Sequence, residues 1–171
     1  ITDIMAYLYF KEMRINKEDP RHPDRDRFVM SKGHCAPVLY ATLAEKGFFP
    51  KEDLATLRKT ESYLEGHPNM NSVPGVDMST GSLAQGMSAA VGMALAGKVD
   101  KKDYYVFVGM GDGELEEGQV WEASMAAAHY KLDNLICFVD YNGLQIDGKI
   151  TEVMNPEPIA EKFEAFGWYV Q

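Results

Sequence analysis

Short apolar runs and longer amphipathic segments alternate along this chain of 171 residues. The short runs have the length and the β-branched or aromatic content of buried strands. They lie at residues 28–30, 104–110 and 135–139, and a further strand-like run lies at residues 168–170. The segments between them place apolar residues at the spacing of one helix face. The predicted helices cover residues 1–13, 37–46, 51–58, 83–96 and 118–130.

Strands that alternate with helices predict the fold class. Such a chain forms an α/β protein with three layers, in which a mostly parallel sheet carries helices on both faces. Neither an internal repeat nor a second domain is evident, so we interpret residues 1–171 as a single domain. The chain begins at Ile1 and stops at Gln171, just after the last strand-like run, so we expect this domain to be truncated at both ends.

Composition and charge narrow the classes of function. The chain is 46% hydrophobic, carries a net charge of −9 and has a pI near 4.9. This acidity argues against nucleic-acid binding, because there is no basic stripe to displace counterions. No apolar run approaches the roughly 18 residues that a membrane helix needs. Cys35 and Cys137 show neither CxxC spacing nor a disulfide framework, which indicates a reducing, cytoplasmic setting.

Two oxygen-bearing side chains follow neighbouring predicted strands. Asp112 lies between Gly111 and Gly113, and Asn142 follows 30 positions later (142 − 112 = 30). In a parallel sheet, ligands gather outside the carboxyl ends of the strands, and Mg²⁺ prefers oxygen ligands shared with substrate phosphates. The glycines allow the backbone to approach a diphosphate closely. An aspartate that caps a tight turn is the alternative, but the matched asparagine at the next strand end favours a metal and diphosphate site.

The motifs in this sequence resemble those of a known family. The segment from Gly111-Asp112-Gly113 to Asn142 resembles the thiamine diphosphate motif, and the remaining motifs resemble those of transketolases in particular. These motifs lie in the family's order at residues 26–34, 66–68, 74–86 and 143–148. The residues in these motifs are most similar to those of the N-terminal subunit of a two-chain transketolase. The resemblance covers nearly the whole chain and implies the thiamine diphosphate-binding fold, in its diphosphate-type domain.

The resemblance implies a set of ligands for the cofactor and its metal. Asp112, Asn142 and the main-chain carbonyl of Leu144 would hold Mg²⁺, with Ca²⁺ as a possible substitute. The remaining groups would contact thiamine diphosphate itself: His34 near the diphosphate, Gly81, Ser82 and Leu83 at the two rings, and Gly111, Gly113 and Asn142 around the phosphates.

The resemblance also implies catalytic roles. His67, in Gly-His-Pro, would steady hydroxyl groups of the ketose substrate, while Glu117 and Glu122 match glutamates that lie between two active sites at a dimer interface. Glu114 and Glu116, in contrast, are interpreted as an ordinary acidic first turn favoured by the helix dipole.

Two positions depart from the family pattern. Ala84 stands where members often have glycine, and Ser82 stands where they often have proline. We expect the extra methyl group at residue 84 to cost little, although it changes the local packing.

The implied activity is the transfer of a two-carbon ketol unit from a ketose phosphate to an aldose phosphate, as in the pentose phosphate pathway. The glutamate that protonates the cofactor and the residues that bind the sugar phosphate belong to another domain of the family. The expected partners are therefore sugar phosphates and a pyrimidine-binding domain or C-terminal transketolase subunit, in a homodimer or heterotetramer.

Three alternatives stay open at this point. The chain could belong to a related thiamine diphosphate ketol transferase or to a deoxyxylulose phosphate synthase, or it could be a cofactor-binding or assembly subunit with no activity alone. A nicotinamide-dependent dehydrogenase is set aside. The segment from Gly81 to Gly86 lacks the middle glycine of G-x-G-x-x-G and follows a Pro/Gly loop instead of a strand.

Overall fold

Three parallel strands form the centre of the protein in a computed structural model that describes all residues from 1 to 171. Strand β1 is Arg27–Met30, β2 is Val106–Gly111 and β3 is Leu135–Asp140. Their order in the sheet is β1-β2-β3, so β2 is the central strand. The three strands predicted within the first 140 residues are confirmed, each within about two residues of its predicted bounds.

Six α-helices surround this sheet. They are α1 Thr2–Tyr7, α2 Ala36–Lys46, α3 Gln85–Val99, α4 Gly118–His129, α5 Ile150–Val153 and α6 Ile159–Ala165. The chain also has short helical segments of other types. Leu8–Glu12 is π-helical, and the 3₁₀ segments are Gly33–Cys35, Lys51–Thr56 and Gly113–Glu116. A short antiparallel hairpin pairs β4, Leu144–Gln145, with β5, Gly148–Lys149. No helix is long and apolar enough to cross a membrane.

Each face of the sheet has its own hydrophobic core. Successive side chains of a strand point to opposite faces, so Val106 and Val108 pack on one side and Phe107 on the other. The valine side faces α3, α4 and Phe163 of α6, whereas the Phe107 side faces α1 and α2. The predicted three-layer α/β fold, with helices on both faces of the sheet, is therefore confirmed.

Small residues allow α3 to lie close to its neighbours. Ala90 and Ala94 are fully buried in the core beneath the sheet. A Cβ atom added to Gly97 would come within 2.9 Å of the Tyr104 ring, and one added to Gly86 within 2.7 Å of the Cα atom of Ser31. The buried side of this helix therefore agrees with its interpretation as a packed core helix. A Cβ atom added to Gly92, on the opposite side, would meet no atom within 4 Å.

Two of the predicted elements are wrong in type. Residues 168–170 form no strand; instead the indole of Trp168 packs against Phe163 and donates a hydrogen bond to the carbonyl of Ser124 (3.0 Å). Residues 51–58 form no α-helix, because a 3₁₀ segment ends at Thr56 and Arg58 adopts a left-handed backbone with φ of 60°. The helix predicted over residues 1–13 is present, but its second half is π-helical.

Candidate functional site

The carboxyl ends of β2 and β3 meet at Asp112. This side chain is 2% exposed and directly follows β2. Its Oδ1 atom accepts a hydrogen bond from the backbone N–H of Gly113 (3.0 Å), and its Oδ2 atom accepts one from the backbone N–H of Gly143 (2.8 Å). The aspartate thus joins the two strand ends, and Asn142 and Asp112 lie at one edge of the sheet as the spacing predicts.

The chain turns sharply after β3. Asn142 is exposed, and its Oδ1 atom accepts a hydrogen bond from the backbone N–H of Leu144 (2.9 Å). Gly143 has a φ of 74°, a left-handed conformation that favours glycine. The β4–β5 hairpin that follows is fixed to the 3₁₀ turn Gly113–Glu116, after β2, by Gln145, whose Nε2 atom donates to Glu116 (3.0 Å). The backbone of Leu144 is therefore held beside the end of β2.

The donor set at this edge suits a hard cation. No three His, Cys, Asp or Glu side chains anywhere in the chain form a cluster that could hold a metal. Asp112 offers a carboxylate, and Asn142 and Leu144 offer amide and carbonyl oxygens, whereas the carboxylate of Asp140 at the end of β3 is paired with Lys32. Mg²⁺ accepts such a set when phosphate oxygens complete its shell. These residues therefore fit a metal that is shared with a diphosphate, and the metal itself stays a prediction.

A second group of predicted site residues meets around Gly81. A Cβ atom added to Gly33 would lie 2.8 Å from the backbone of Thr80 and Gly81, so only glycine allows this approach. His34 follows immediately. A Cβ atom on Gly81 would lie 3.4 Å from the ring of His67. The structure therefore brings His34, His67 and Gly81 together, although these three residues come from three separate segments of the chain.

Hydrogen bonds fix the His67 loop, and a local contact holds Ser82. The hydroxyl of Tyr40 donates to the backbone carbonyl of His67 (2.9 Å), and the backbone N–H of Thr80 donates to Pro68 (3.2 Å). Ser82 is exposed and accepts a hydrogen bond from the side chain of Gln85 (3.2 Å). His67 is exposed above its fixed backbone, so its imidazole is accessible to a ligand.

The charges around His34 favour its neutral form. Partial burial lowers the pKa of His34 below its ordinary value; the charges of Lys32 and His67 act in the same direction, and that of Glu114 opposes them. Lys32 is buried and forms an ion pair with Asp140. Burial acts to raise the pKa of Asp140, the hydrogen bond and charge of Lys32 act to lower it, and this pKa lies below the ordinary value.

Glu114 and Glu116 do lie in the acidic first turn of a short helix, but not of α4. They belong to a separate 3₁₀ turn, and α4 begins only at Gly118. Glu114 is 2% exposed and accepts hydrogen bonds from three other segments, whereas Glu116 is exposed and binds Gln145. The helix dipole of α4 therefore does not explain either residue.

Glu117 and Glu122 are carried by α4, whereas His34 and His67 lie on other segments of the chain. Glu117 is the N-cap residue of α4, without a side-chain capping bond, and Glu122 lies on the same helix. Both are exposed, and neither side chain forms a hydrogen bond or ion pair within the chain. Their role at an interface stays a prediction.

Several polar residues at the site escaped the sequence patterns. Lys32 and Asp140 each lie within a motif of the sequence but have no role predicted from it. Gln145 was part of a motif but had no assigned role, and its Oε1 atom is buried without a partner. A signal was available for Asp140, because it is a carboxylate at the end of an otherwise apolar strand. No comparable signal marks Glu114, whose partners are distant in sequence.

The site is an open surface, since its exposed residues include His34, His67 and Asn142. Two cavities, with volumes of 750 and 460 Å³, lie elsewhere, along the outer edge of β3. Their linings share Cys137, Phe138, Trp168, Tyr169 and Gln171 and include no predicted site residue.

A parallel sheet with Asp112 and Asn142 at adjacent strand ends defines an α/β protein of the cofactor-binding class. Comparison with known proteins gives the family: the chain belongs to the transketolases, because the family model described as "Transketolase, thiamine diphosphate binding domain" matches residues 1–171.

Curated relatives agree with this assignment. The chain is 51% identical over 171 residues to the 6-deoxy-6-sulfo-D-fructose transketolase subunit SqwG of Clostridium sp. (strain MSTE9). This alignment covers 100% of the chain and 62% of that subunit. It is 49% identical over 168 residues to a subunit of the apulose-4-phosphate transketolase of Phocaeicola vulgatus, covering 98% of the chain and 59% of the relative. It is 48% identical over 169 residues to transketolase of Homo sapiens, in an alignment that covers 98% of the chain and 27% of the human protein. The chain therefore spans less than two thirds of the length of these relatives.

Solved structures agree with the fold. Transketolase from Pichia stipitis in complex with sedoheptulose-7-phosphate superimposes with a TM-score of 0.89 at 38% identity, over 96% of the chain and 26% of that protein. Transketolase from Leishmania mexicana superimposes with a TM-score of 0.89 at 37% identity, over 96% of the chain and 26% of that protein.

Proposed function

We propose that residues 1–171 are the diphosphate- and metal-binding part of a transketolase, which transfers a two-carbon ketol unit from a ketose phosphate to an aldose phosphate. The contact between Asp112 and Gly143 is the observation on which this proposal chiefly rests, because it places a buried carboxylate between two strand ends. When bound, thiamine diphosphate supplies the carbon that attacks the ketose and carries the two-carbon unit.

In this proposal the residues at the strand ends hold the charged end of the cofactor. Asp112, Asn142 and the carbonyl of Leu144 bind Mg²⁺, or Ca²⁺ in its place. Gly111 and Gly113 let the backbone approach the phosphates closely. The support is the oxygen-only donor set and the turn at Gly143, which keeps the hairpin beside the end of β2.

The residues around Gly81 face the other end of the cofactor and the sugar. Gly81, Ser82 and Leu83 line the rings, and His34 lies near the diphosphate. His67 donates to hydroxyl groups of the ketose. Its exposure, and the hydrogen bond from Tyr40 that fixes its backbone, support this role. A neutral His34 beside Lys32 donates a hydrogen bond without adding a second positive charge.

A partner completes the site in this proposal. The partner is a pyrimidine-binding domain or a C-terminal transketolase subunit, in a homodimer or heterotetramer. It supplies the proton donor and the residues that bind the sugar phosphate. Two of the relatives are named as subunits. The exposed, unpaired side chains of Glu117 and Glu122 are suited to an interface between two such sites. We further propose a role in pentose phosphate metabolism in the cytoplasm. Both cysteines are free thiols, which agrees with a reducing environment.

The test uses the full-length native protein. Calorimetry with thiamine diphosphate should show binding that requires Mg²⁺ or Ca²⁺. A coupled assay of sugar transfer should then give turnover with the partner and none without it. Failure to bind thiamine diphosphate in the presence of either metal would overturn the proposal. Binding without turnover, even with the partner and a range of ketose phosphates, would favour the second candidate, a cofactor-binding or assembly subunit.

A further inference from the structure

The Glu114 carboxylate is buried at the meeting point of three segments. Its Oε1 atom accepts hydrogen bonds from the Ser31 hydroxyl and from the backbone N–H of Ala84 (2.8 Å). Its Oε2 atom accepts one from the backbone N–H of Gly111 (3.2 Å). Ser31 follows β1, Ala84 precedes α3 and Gly111 ends β2. One side chain therefore joins segments that are 83, 30 and 3 residues away from it in sequence.

These segments carry the residues that the proposed function assigns to the cofactor. Ser31 lies three positions before His34, Ala84 directly follows Leu83, and Gly111 precedes Asp112. Their backbones also pack closely, since a Cβ atom on Gly86 would lie 2.7 Å from Ser31. Displacing one segment would therefore displace the others.

Glu114 also completes the start of α3. The N-cap residue of that helix, Ala84, has no side chain that could accept a hydrogen bond, and its φ of 68° is left-handed. Uncapped N–H groups at a helix start need an acceptor, and a carboxylate there also interacts favourably with the helix dipole. Glu114 provides this acceptor from a distant turn.

We infer that Glu114 is a positioning residue that holds the Ser31, Ala84 and Gly111 segments in the arrangement that binds thiamine diphosphate. The inference rests on the proposed function. The chemistry matches, because a carboxylate has acceptor atoms only and its three partners are all donors. A glutamine in its place would turn one acceptor into a donor facing a donor.

Glu114→Gln is the test variant, and Glu52→Gln is the matched control. Both residues lie in 3₁₀ segments and both changes remove one negative charge, but Glu52 is exposed and lies away from the proposed site. The first measurement is backbone amide exchange in the full-length native protein without cofactor. In Glu114→Gln, the amides of Ala84 and Gly111 should exchange at least about 10-fold faster, whereas Val108 in the centre of β2 should be unchanged. The same protection in both variants would overturn the inference.

The second measurement is the dissociation constant of thiamine diphosphate with Mg²⁺. We expect a rise of about 10-fold or more in Glu114→Gln, since a hydrogen bond to a charged group is lost, and no change in Glu52→Gln. At saturating cofactor, kcat should largely recover, which a general structural defect would not allow. Unchanged affinity in Glu114→Gln overturns the inference. Absence of binding in the unmodified protein would instead overturn the proposed function, and amide exchange would still test the link itself.

Ser31→Ala covers the case in which Glu114→Gln does not fold. It removes one hydroxyl and leaves the carboxylate with two backbone donors. We expect this variant to keep its cooperative unfolding and to bind thiamine diphosphate several-fold more weakly, about 3- to 10-fold. Equal affinity in Ser31→Ala and the unmodified protein would contradict the inference.

Discussion

The ammonium group of Lys32 lies 2.5 Å from the carboxylate of Asp140, across the carboxyl ends of the parallel strands. Lys32 follows β1 and Asp140 ends β3, so the lysine side chain spans the central strand β2. A Cβ atom on Gly111, at the end of β2, would lie 3.4 Å from Cδ of Lys32. The ion pair therefore ties the outer strands together directly above the glycine.

Removing the lysine should measurably destabilise the fold. Lys32 is buried, so Lys32→Met removes the side-chain partner of Asp140, and we expect a loss of about 1–3 kcal/mol in the free energy of unfolding. Lys98 pairs with Asp133 on the surface, and Lys98→Met should cost less than about 1 kcal/mol. Denaturant unfolding of both variants provides the comparison. Equal losses would contradict a structural role for the buried pair.

Asp112 should matter to both cofactor binding and stability. We expect Asp112→Ala to abolish metal-dependent binding of thiamine diphosphate in calorimetry. Its carboxylate is buried and accepts two backbone hydrogen bonds, so the same change should also cost about 1–3 kcal/mol of stability. This differs from the expectation for an isolated strand-end ligand, which would leave the fold intact. Asn142→Ala should weaken binding, and Asn142→Asp should be milder because an oxygen ligand remains.

Local patterns in the sequence predicted most of the fold. The apolar run at residues 135–139 and the helical spacing at residues 118–130 gave β3 and α4 nearly to the residue. The strand predicted at residues 168–170 was wrong, because aromatic and branched residues occur in packed loops as well as in strands. Only tertiary contacts, such as that of Trp168 with Phe163, distinguish the two.

The polar connections of the site lay beyond such patterns. Asp112 and Asn142 were found because each follows a strand, and adjacent parallel strands end at one edge. Glu114 was missed because its hydroxyl partner Ser31 is 83 residues away, and periodicity carries no information about that distance. A buried carboxylate and an exposed one look the same in a run of glutamates.

His67 should affect the substrate more than the cofactor. We expect His67→Ala to lower kcat/KM for the ketose donor by about 10- to 100-fold in the assembled enzyme, with little change in the dissociation constant of thiamine diphosphate. Tyr40→Phe keeps the imidazole but removes the hydrogen bond to the His67 carbonyl, so its effect should be smaller. A loss of cofactor affinity in His67→Ala as large as that in Asp112→Ala would refute this division of roles.

Two glycines should respond oppositely to the same methyl group. Gly33→Ala forces apart the backbones of residues 33 and 81, because its Cβ atom would lie 2.8 Å from Gly81, so both stability and cofactor affinity should fall. Gly92→Ala adds a methyl group to an open helix position and should raise stability by about 0.5–1 kcal/mol through helix propensity. Thermal unfolding measures both. A change in oligomer mass in Gly92→Ala would instead place this side of α3 at an interface between protein chains.

The protonation of His34 should depend on its charged neighbours. Its pKa lies below the ordinary 6.5, so any stability that the neutral ring contributes is present above pH 6.5 and lost as the pH falls through the lowered value. Lys32→Met should raise the pKa of His34 and Glu114→Gln should lower it. NMR titration of the imidazole signals tests both signs, and the His129 signal on α4 is the internal control for the response to each substitution. A shift of the opposite sign in either variant would show that another group controls His34.

The pairing of β1 with β2 also affects how the chain reaches its native state. Residue 27 pairs with residue 106, so a ribosome releases β1 long before its partner strand is synthesised. Closing a loop of this length costs about 4 kcal/mol of chain entropy, and non-local pairings of this kind slow folding. Helices α1 and α2 are complete by residue 46, but the Ser31 hydroxyl meets its carboxylate only after residue 114 has emerged. A nascent chain just shorter than this already holds eight of the twelve predicted site residues, but it lacks the carboxylate that joins their segments.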